Sequence, residues 1–168
     1  VRRKVAKTLN FGTAYGASAE SFAVKANVTV SFAEKAIKRF WQTYQVLAAY
    51  LREQASLAAD QGRAYTASGR SAVLFVNHDD KKAYAAARRL GRNFGIQGTG
   101  ADILKRALYL LRNQIILLRL DAKVVNIVHD EIVVETYDDP EYVSGVIKEC
   151  MTQAGNEYLS PIPCEVGI

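Results

Sequence analysis

Arg3, Lys7, Phe11 and Tyr15 stand four residues apart in the stretch VRRKVAKTLNFGTAYG. Four residues of an α-helix advance about 400°, so these side chains form one nearly straight stripe. The stripe reads cation, cation, aromatic, aromatic. Such a face can hold a polyphosphate at one end and stack a ring at the other, and a nucleoside triphosphate has both parts. Two cations on a helix are more often merely solvated, and an aromatic pair is more often core. The order and the neighbours favour a ligand. Gly12 and Gly16 each follow an aromatic, and Gly inside a helix costs roughly 1 kcal/mol against Ala. Two of them point to a helix end that bends, or to a backbone that approaches a ligand closely.

At 168 residues the chain has the length of one domain and can bury a core. Its 22 Lys and Arg against 17 Asp and Glu give a net charge of +5, which favours a polyanionic partner. Location says more than the total: Arg2, Arg3, Lys4 and Lys7 cluster at one place, and Arg88, Arg89 and Arg92 at another. Cys150 and Cys164 have neither metal spacing nor a disulfide framework, so a reducing compartment, the cytoplasm, is expected. No signal peptide is read at the basic, amphipathic start. No apolar run is long enough to span a membrane; Ala107 to Leu120 is interrupted by Arg112, Asn113 and Arg119.

Residues 1–16 read as the helix carrying the stripe, and Ser18 as the cap of a short helix over 19–26. Thr29-Val30-Ser31 is a break. Ser31 with Glu34 forms a capping-box pattern that opens one long helix to about Ala59, with Ala36, Phe40, Tyr44, Leu47 and Leu51 as its apolar face; Gln61-Gly62 ends it. Residues 63–76 are short and β-like around a turn at Gly69. Asn77 or Asp79 caps a helix over about 80–93, Gly95 and Gly98 break the pattern, and a second long helix runs from about Thr99 to Leu118. The β-rich runs 123–128 and 132–136, separated by His129-Asp130-Glu131, signal a hairpin. Pro140 opens a last helix that fades by Tyr158, with Asp138-Asp139 in capping positions, and Cys164-Glu165-Val166-Gly167-Ile168 looks like a short strand.

Two further motifs carry chemistry. Arg89, Asn93 and Gln97 repeat the four-residue spacing and lead into Gly98-Thr99-Gly100-Ala101-Asp102. Val128-His129-Asp130-Glu131 puts two carboxylates at a tight turn, a rigid support that suits hard Mg²⁺. Each has a plainer reading alone. Asn93 serves equally as a helix C-cap, His129 as a satisfied histidine at a strand end, and Asp130-Glu131 as a polar hairpin turn.

Together, R-x-x-x-K-x-x-x-F-G-x-x-Y-G, R-x-x-x-N-x-x-x-Q-G-T-x-A-D and V-H-D-E resemble, in order, the three motifs of family A DNA polymerases, the class of bacterial DNA polymerase I. The resemblance covers nearly the whole chain. It implies an α+β fold, a mostly helical fingers segment with a small antiparallel palm sheet carrying the catalytic hairpin. About 1–76 would be fingers and about 77–168 part of the palm. The implied reaction is template-directed DNA synthesis: deoxynucleotidyl transfer to a primer 3′ end with release of pyrophosphate. The implied partners are primer–template DNA and deoxynucleoside triphosphates, with no membrane.

By the same resemblance, Arg3 and Lys7 meet the phosphates of the incoming nucleotide, and Lys7 neutralises or protonates the departing pyrophosphate. Phe11 packs against sugar and base; a Phe there implies discrimination against dideoxynucleotides. Tyr15 sits at the base of the templating site. Asn93 and Gln97 reach the minor groove, where near-uniform acceptors report pair geometry rather than sequence. Arg89 contacts backbone or minor groove, and His129 the primer terminus. Asp130 is a catalytic metal ligand and Glu131 a secondary one, in a two-Mg²⁺ site.

The family's other catalytic aspartate lies in a D-Y-S-Q-I-E-L-R-like strand upstream of the stripe helix. That strand and the thumb lie outside this sequence, and Asp79-Asp80 and Asp138-Asp139 lack the strand context to replace it. The chain alone is therefore expected to be inactive or nearly so. Two rival readings stand beside this one: a split subunit completed by a complementary polymerase chain, and a non-catalytic primer–template DNA-binding module. Deoxy against ribo sugar selection stays open. Gly69-Arg70-Ser71-Ala72-Val73 lacks the arginine-and-proline run common in bacterial members, which points to a phage or otherwise divergent source, so the setting is a bacterial cell or a phage-infected host.

Overall fold

The computed structural model describes residues 2–167. Among them, six helices and four strands occur in order: α1 (Arg2–Ala14), α2 (Ala19–Ala26), α3 (Val30–Thr43), α4 (Gln45–Gln61), β1 (Arg63–Tyr65), β2 (Ser71–Val73), α5 (Lys81–Leu118), β3 (Ala122–Val128), β4 (Glu131–Thr136) and α6 (Pro140–Leu159). The strands form two antiparallel pairs, β1–β2 and β3–β4. The expected mostly helical α+β class is what forms. Contacts divide the chain into one unit ending at Ile96 and another beginning at Gln97, with α5 running through the division. No helix of the described residues is long and apolar enough to cross a membrane.

In the first unit, Phe22, Ala23, Ala26 and Ala33 are buried, with Val5 and Leu9 of α1 packed on them. α2 starts as its sequence requires: the Ser18 hydroxyl accepts from the Ser21 N–H at 3.3 Å. It ends at Asn27 in left-handed geometry, φ 54°. The cap of α3 is Thr29, whose Oγ1 accepts from the Phe32 N–H at 3.2 Å, not the expected Ser31 of a capping box. Asn27 has already turned the chain, so Thr29 is the first hydroxyl able to reach the free N–H groups.

The single helix expected to reach Ala59 is two. Tyr44 leaves the helical region (φ −103°, ψ 60°) between α3 and α4, and its ring lies 4.9 Å from that of Phe40. The backbone bonds on either side of the break are kept, Tyr44 N–H to the Phe40 carbonyl and Ala48 N–H to the Tyr44 carbonyl, each at 2.9 Å. α4 buries a row of small residues with one leucine, Ala48, Leu51, Ala55, Ala58 and Ala59, and closes at Gly62 with φ 63°. β1 and β2 pair with Arg63 opposite Val73, and Gly69 at φ 83° makes their turn.

α5 is capped by Asp80, whose Oδ1 accepts from the N–H groups of Lys82 at 2.8 Å and Ala83 at 3.3 Å. Asn77, one of the two expected caps, instead accepts from the Asp79 N–H at 3.0 Å and shapes the preceding turn. The helix then continues for 38 residues through Gly95 and Gly98, where the sequence signals a break. Tertiary contact is the reason. A Cβ at Gly91 would strike the Ala58 Cβ and come 2.5 Å from the Gln54 carbonyl oxygen, and one at Gly95 would come 2.7 Å from the Tyr50 hydroxyl. These glycines are where α5 lies on α4, so their low helix propensity is overridden by packing.

In the second unit, β4 alternates as an amphipathic strand should. Ile132 and Val134 turn inward onto Leu111 of α5 and Val146 and Cys150 of α6. α6 begins at Pro140, its cap Asp139 accepting from the Glu141 N–H at 3.1 Å. Asp138 does something else: its Oδ2 accepts from the Asp121 N–H at 2.7 Å and ties the base of the hairpin. Arg106 of α5 donates twice to Glu157 of α6, Nε at 2.7 Å and Nη2 at 3.0 Å. Residues 164–167 form no strand; Ile168, the last of the expected strand, lies outside the described residues.

The glycines of α5 make a paired test of this packing. Gly91→Ala is expected to lower stability by about 1–3 kcal/mol through overpacking against α4. Gly100→Ala, whose added Cβ meets nothing within 4 Å, is expected to raise it by about 0.5–1 kcal/mol. Urea midpoints of the two variants check both signs.

Candidate nucleotide and nucleic-acid site

The stripe forms on α1. Arg3 and Lys7 are exposed there, Phe11 is 54% exposed, and Tyr15 is half-buried in the turn after the helix. Lys7 Nζ stands 5.9 Å from the centre of the Phe11 ring, within cation–π range. The Phe11 and Tyr15 rings are 6.2 Å apart, tilted by 38°. Three of the four expected residues thus form one continuous ladder, and Arg3 lies one helical turn beyond it. The Phe11 ring is thus open to solvent beside a lysine rather than packed into the core.

Gly16 ends this helix at φ 80°. A Cβ there would come 2.8 Å from Arg92 Nη1 and 3.7 Å from Arg89 Cγ of α5. The glycine is therefore needed twice, for its left-handed backbone and for the space the arginines occupy. The structure thereby brings the end of the stripe to the start of the second motif. Arg89 is exposed and Asn93 half-buried, with the Asn93 Oδ1 shielded from solvent and without a hydrogen-bond partner among the described residues. Gln97, exposed, comes one turn later on α5. Burial first, and the neighbouring Arg88 second, lower the pKa of the Arg92 guanidinium. The sequence groups Arg92 with Arg88 and Arg89 as a basic cluster but assigns it no role. Its place beside the Gly16 turn is a product of the fold.

His129, Asp130 and Glu131 come together at the tip of the β3–β4 hairpin. Val128 pairs with Glu131, leaving a two-residue loop of His129 and Asp130. His129 takes φ 57°, a position that Gly, Asn or Asp ordinarily fills. A register shift between Val124 and Asn126 bulges Val125 out of the ladder, and the Asn126 side chain accepts from the Ile127 N–H at 2.8 Å. A bulge re-aims the strand beyond it, here the strand end that leads to the carboxylates. All three tip residues are exposed. Asp130 and Glu131 also line a hollow of about 670 Å³ whose other walls are largely apolar, including Ile103, Leu104 and Ile147.

Among the described residues no group of three His, Cys, Asp or Glu side chains converges as a metal cage. Two adjacent exposed carboxylates on a hairpin are nonetheless a fitting partial donor set for Mg²⁺, which takes one or two carboxylates and fills its remaining positions with water and phosphate oxygen.

The backbone at the tip makes a prediction separable from any chemistry. A side chain at positive φ costs roughly 1–2 kcal/mol that Gly escapes. His129→Gly is therefore expected to leave the fold at least as stable, with an unchanged or higher urea midpoint. A clear fall would show that the imidazole holds the turn together.

Comparison with known proteins gives the family. The profile of DNA polymerase family A matches residues 1–168. DNA polymerase I of Pseudomonas aeruginosa is 36% identical over 99% of this chain and 18% of its own length. The thermostable DNA polymerase I of Thermus thermophilus is 33% identical over 99% of this chain and 20% of its own. That of Aquifex aeolicus is 32% identical over 98% and 28%. The chain thus spans well under a third of the length of these relatives. A solved structure, the POL domain of Pol1 from M. smegmatis in complex with DNA primer-template and dNTP, superposes with a TM-score of 0.82 at 27% identity, over 90% of this chain and 27% of that one. From its motifs, its fold and these relatives together, the chain belongs to DNA polymerase family A.

Proposed function

We propose that the chain is a fingers-and-palm segment, with fingers over about 1–76 and part of the palm over about 77–168, acting in template-directed deoxynucleotidyl transfer to a primer 3′ end. The observation that carries the reading is the exposed Lys7–Phe11–Tyr15 ladder, joined at Gly16 to the arginines of α5. Cations at one end and rings at the other fit an incoming nucleoside triphosphate. The POL domain it resembles holds DNA primer-template and dNTP, which supports the same two ligands here.

On this reading Arg3 and Lys7 bind and orient the triphosphate, and Lys7 holds the charge, or supplies the proton, of the departing pyrophosphate. Phe11 packs on sugar and base, and Tyr15 fills the templating position. Arg89, Asn93 and Gln97 contact the primer–template through backbone and minor groove, where geometry is checked rather than sequence. His129 meets the primer terminus. Asp130, with Glu131 in support, would hold Mg²⁺, which when bound supplies charge stabilisation for phosphoryl transfer. By the family's pattern the other catalytic aspartate lies in an upstream palm strand, so a further palm-and-thumb segment, on the same or a separate chain, would complete the site.

Primer extension with Mg²⁺ and the four deoxynucleotides tests this, using the chain alone and then mixed with an upstream palm-and-thumb fragment. Extension is expected in the mixture and little or none from the chain alone. Asp130→Ala should lower the mixture's rate by about a thousandfold or more, since several kcal/mol of charge stabilisation is lost. An Asp130→Ala mixture that still extends primers would remove the assigned role. DNA binding with no extension in any arrangement would favour the non-catalytic module.

Nucleotide affinity is a second check that needs no turnover. Lys7→Ala is expected to weaken Mg²⁺–dNTP binding by roughly tenfold, the effect of losing one charge-assisted contact. Calorimetric titration of the two chains reads this directly, and equal affinities would take Lys7 out of the site.

A further inference from the structure

The basic side chains of the first unit are not all accounted for by the stripe and the α5 motif. Lys38, Trp41 and Gln42 of α3, Arg52 of α4 and Arg92 of α5 line a cavity of about 450 Å³ over an apolar floor from α4. Lys38, Trp41 and Gln42 occupy i, i+3 and i+4 and therefore share a face of α3. No carboxylate lines the cavity. Among the described residues none of its three cations has an ion-pair partner. Arg52 is steadied by a 3.0 Å bond from Nε to the Ala48 carbonyl, which leaves the rest of its guanidinium fork to donate outward. The Nε of Arg92 is shielded from solvent with no hydrogen-bond partner among the described residues.

Three like charges around one hollow, with no carboxylate beside them, repel each other, and an anion would relieve the repulsion. The volume is far larger than one phosphate group needs, and the wall includes an indole. A basic groove with an aromatic face is the arrangement that holds a single nucleic-acid strand, phosphate on the cations and base on the ring. We propose that this cavity binds a phosphodiester of single-stranded nucleic acid, with Trp41 offering a stacking face to the adjoining base. The lowered pKa of Arg92, caused first by burial and then by Arg88, accords with a cation in need of a counter-charge. None of this rests on the roles given to Arg3, Lys7 or Asp130.

Trp41 is the one tryptophan of the sequence, so tryptophan emission reports on this cavity. The chain would be titrated with an eight-nucleotide oligothymidylate and, in parallel, with inorganic pyrophosphate. Saturable quenching by the oligonucleotide is expected. The double variant Lys38→Gln, Arg52→Gln should weaken that binding roughly tenfold and reduce the slope of log K against log salt by about 1.4, two phosphate contacts at about 0.7 each. Both side chains are exposed, so circular dichroism should be unchanged; Arg92→Gln provides a second, independent loss of affinity. Absence of quenching would overturn the proposal, as would quenching whose affinity and salt slope survive all the variants. Pyrophosphate that quenches more tightly than the oligonucleotide and displaces it would also overturn it, by making a free polyphosphate the occupant.

Discussion

The close approach of α4 and α5 is the constraint on which the first unit depends. The helices run antiparallel along a seam: the Tyr84 hydroxyl donates to Asp60 at 3.3 Å, Arg88 to the Ser56 hydroxyl at 3.3 Å, Gly91 lies on Gln54 and Ala58, and Gly95 lies under Tyr50. Only residues without a side chain allow the middle of that seam to close. Once it is closed, the directions of the neighbouring α5 side chains within the first unit are fixed. Arg92 and Arg89, about 100° and 200° round the helix from Gly91, stand off the line of closest approach, and both reach the turn at Gly16. The position of these two arginines beside the Gly16 turn is thus a consequence of a glycine packed against α4.

The second unit solves a different problem, the support of an exposed turn. β4 buries alternate residues against α5 and α6, whereas β3 is exposed from Lys123 to its end. The hairpin is held from one face, at its base by Asp138 on the Asp121 N–H and Thr136 on the Asp121 carbonyl, and along its length by pairing. The bulge at Val125 resets the pairing so that the loop closes with two residues between Val128 and Glu131. The Asp130 and Glu131 carboxylates then stand on a short, ladder-closed tip rather than on a long loop, where ordering would cost conformational entropy at every encounter with a ligand.

Much of this is legible in the residues. The period of four at Arg3 to Tyr15, the hairpin around His129-Asp130-Glu131, the caps at Ser18 and Asp139 and the stop at Gly62 are local signals with local causes, and each is present in the fold. The misleading signals are also local. Gly95 and Gly98 carry a helix-breaking propensity of about 1 kcal/mol each, yet α5 runs through both, because Gly95 is where Tyr50 and Tyr65 come closest. Thr29 outcompetes the Ser31–Glu34 pattern once Asn27 has turned the chain, and Asp80 outcompetes Asn77 and Asp79 by lying nearer the helix. The basic cavity between α3 and α4 is illegible for another reason: its walls come from three segments, and only the break at Tyr44 turns α4 back to supply Arg52.

Backbone strain separates structural from functional positions here. Three non-glycine residues among those described adopt positive φ: Asn27, Arg119 and His129. Two of them need no functional explanation. Asn27 closes α2 by donating its N–H to the Val24 carbonyl at 3.4 Å, and beyond Arg119 the Leu120 N–H reaches the Ile115 carbonyl at 3.0 Å to close α5. Left-handed residues at helix ends satisfy carbonyls that would otherwise be orphaned. His129 closes no helix. It holds the loop position that glycine would fill with less strain, and its exposed imidazole makes no hydrogen bond within the described residues that would repay the difference. Under the proposed function, a strained, exposed histidine beside two carboxylates has its explanation in contact with the primer terminus rather than inside the fold. Under the proposed readings the same reasoning extends to the half-buried Arg92, a cation partly withdrawn from water beside Arg88.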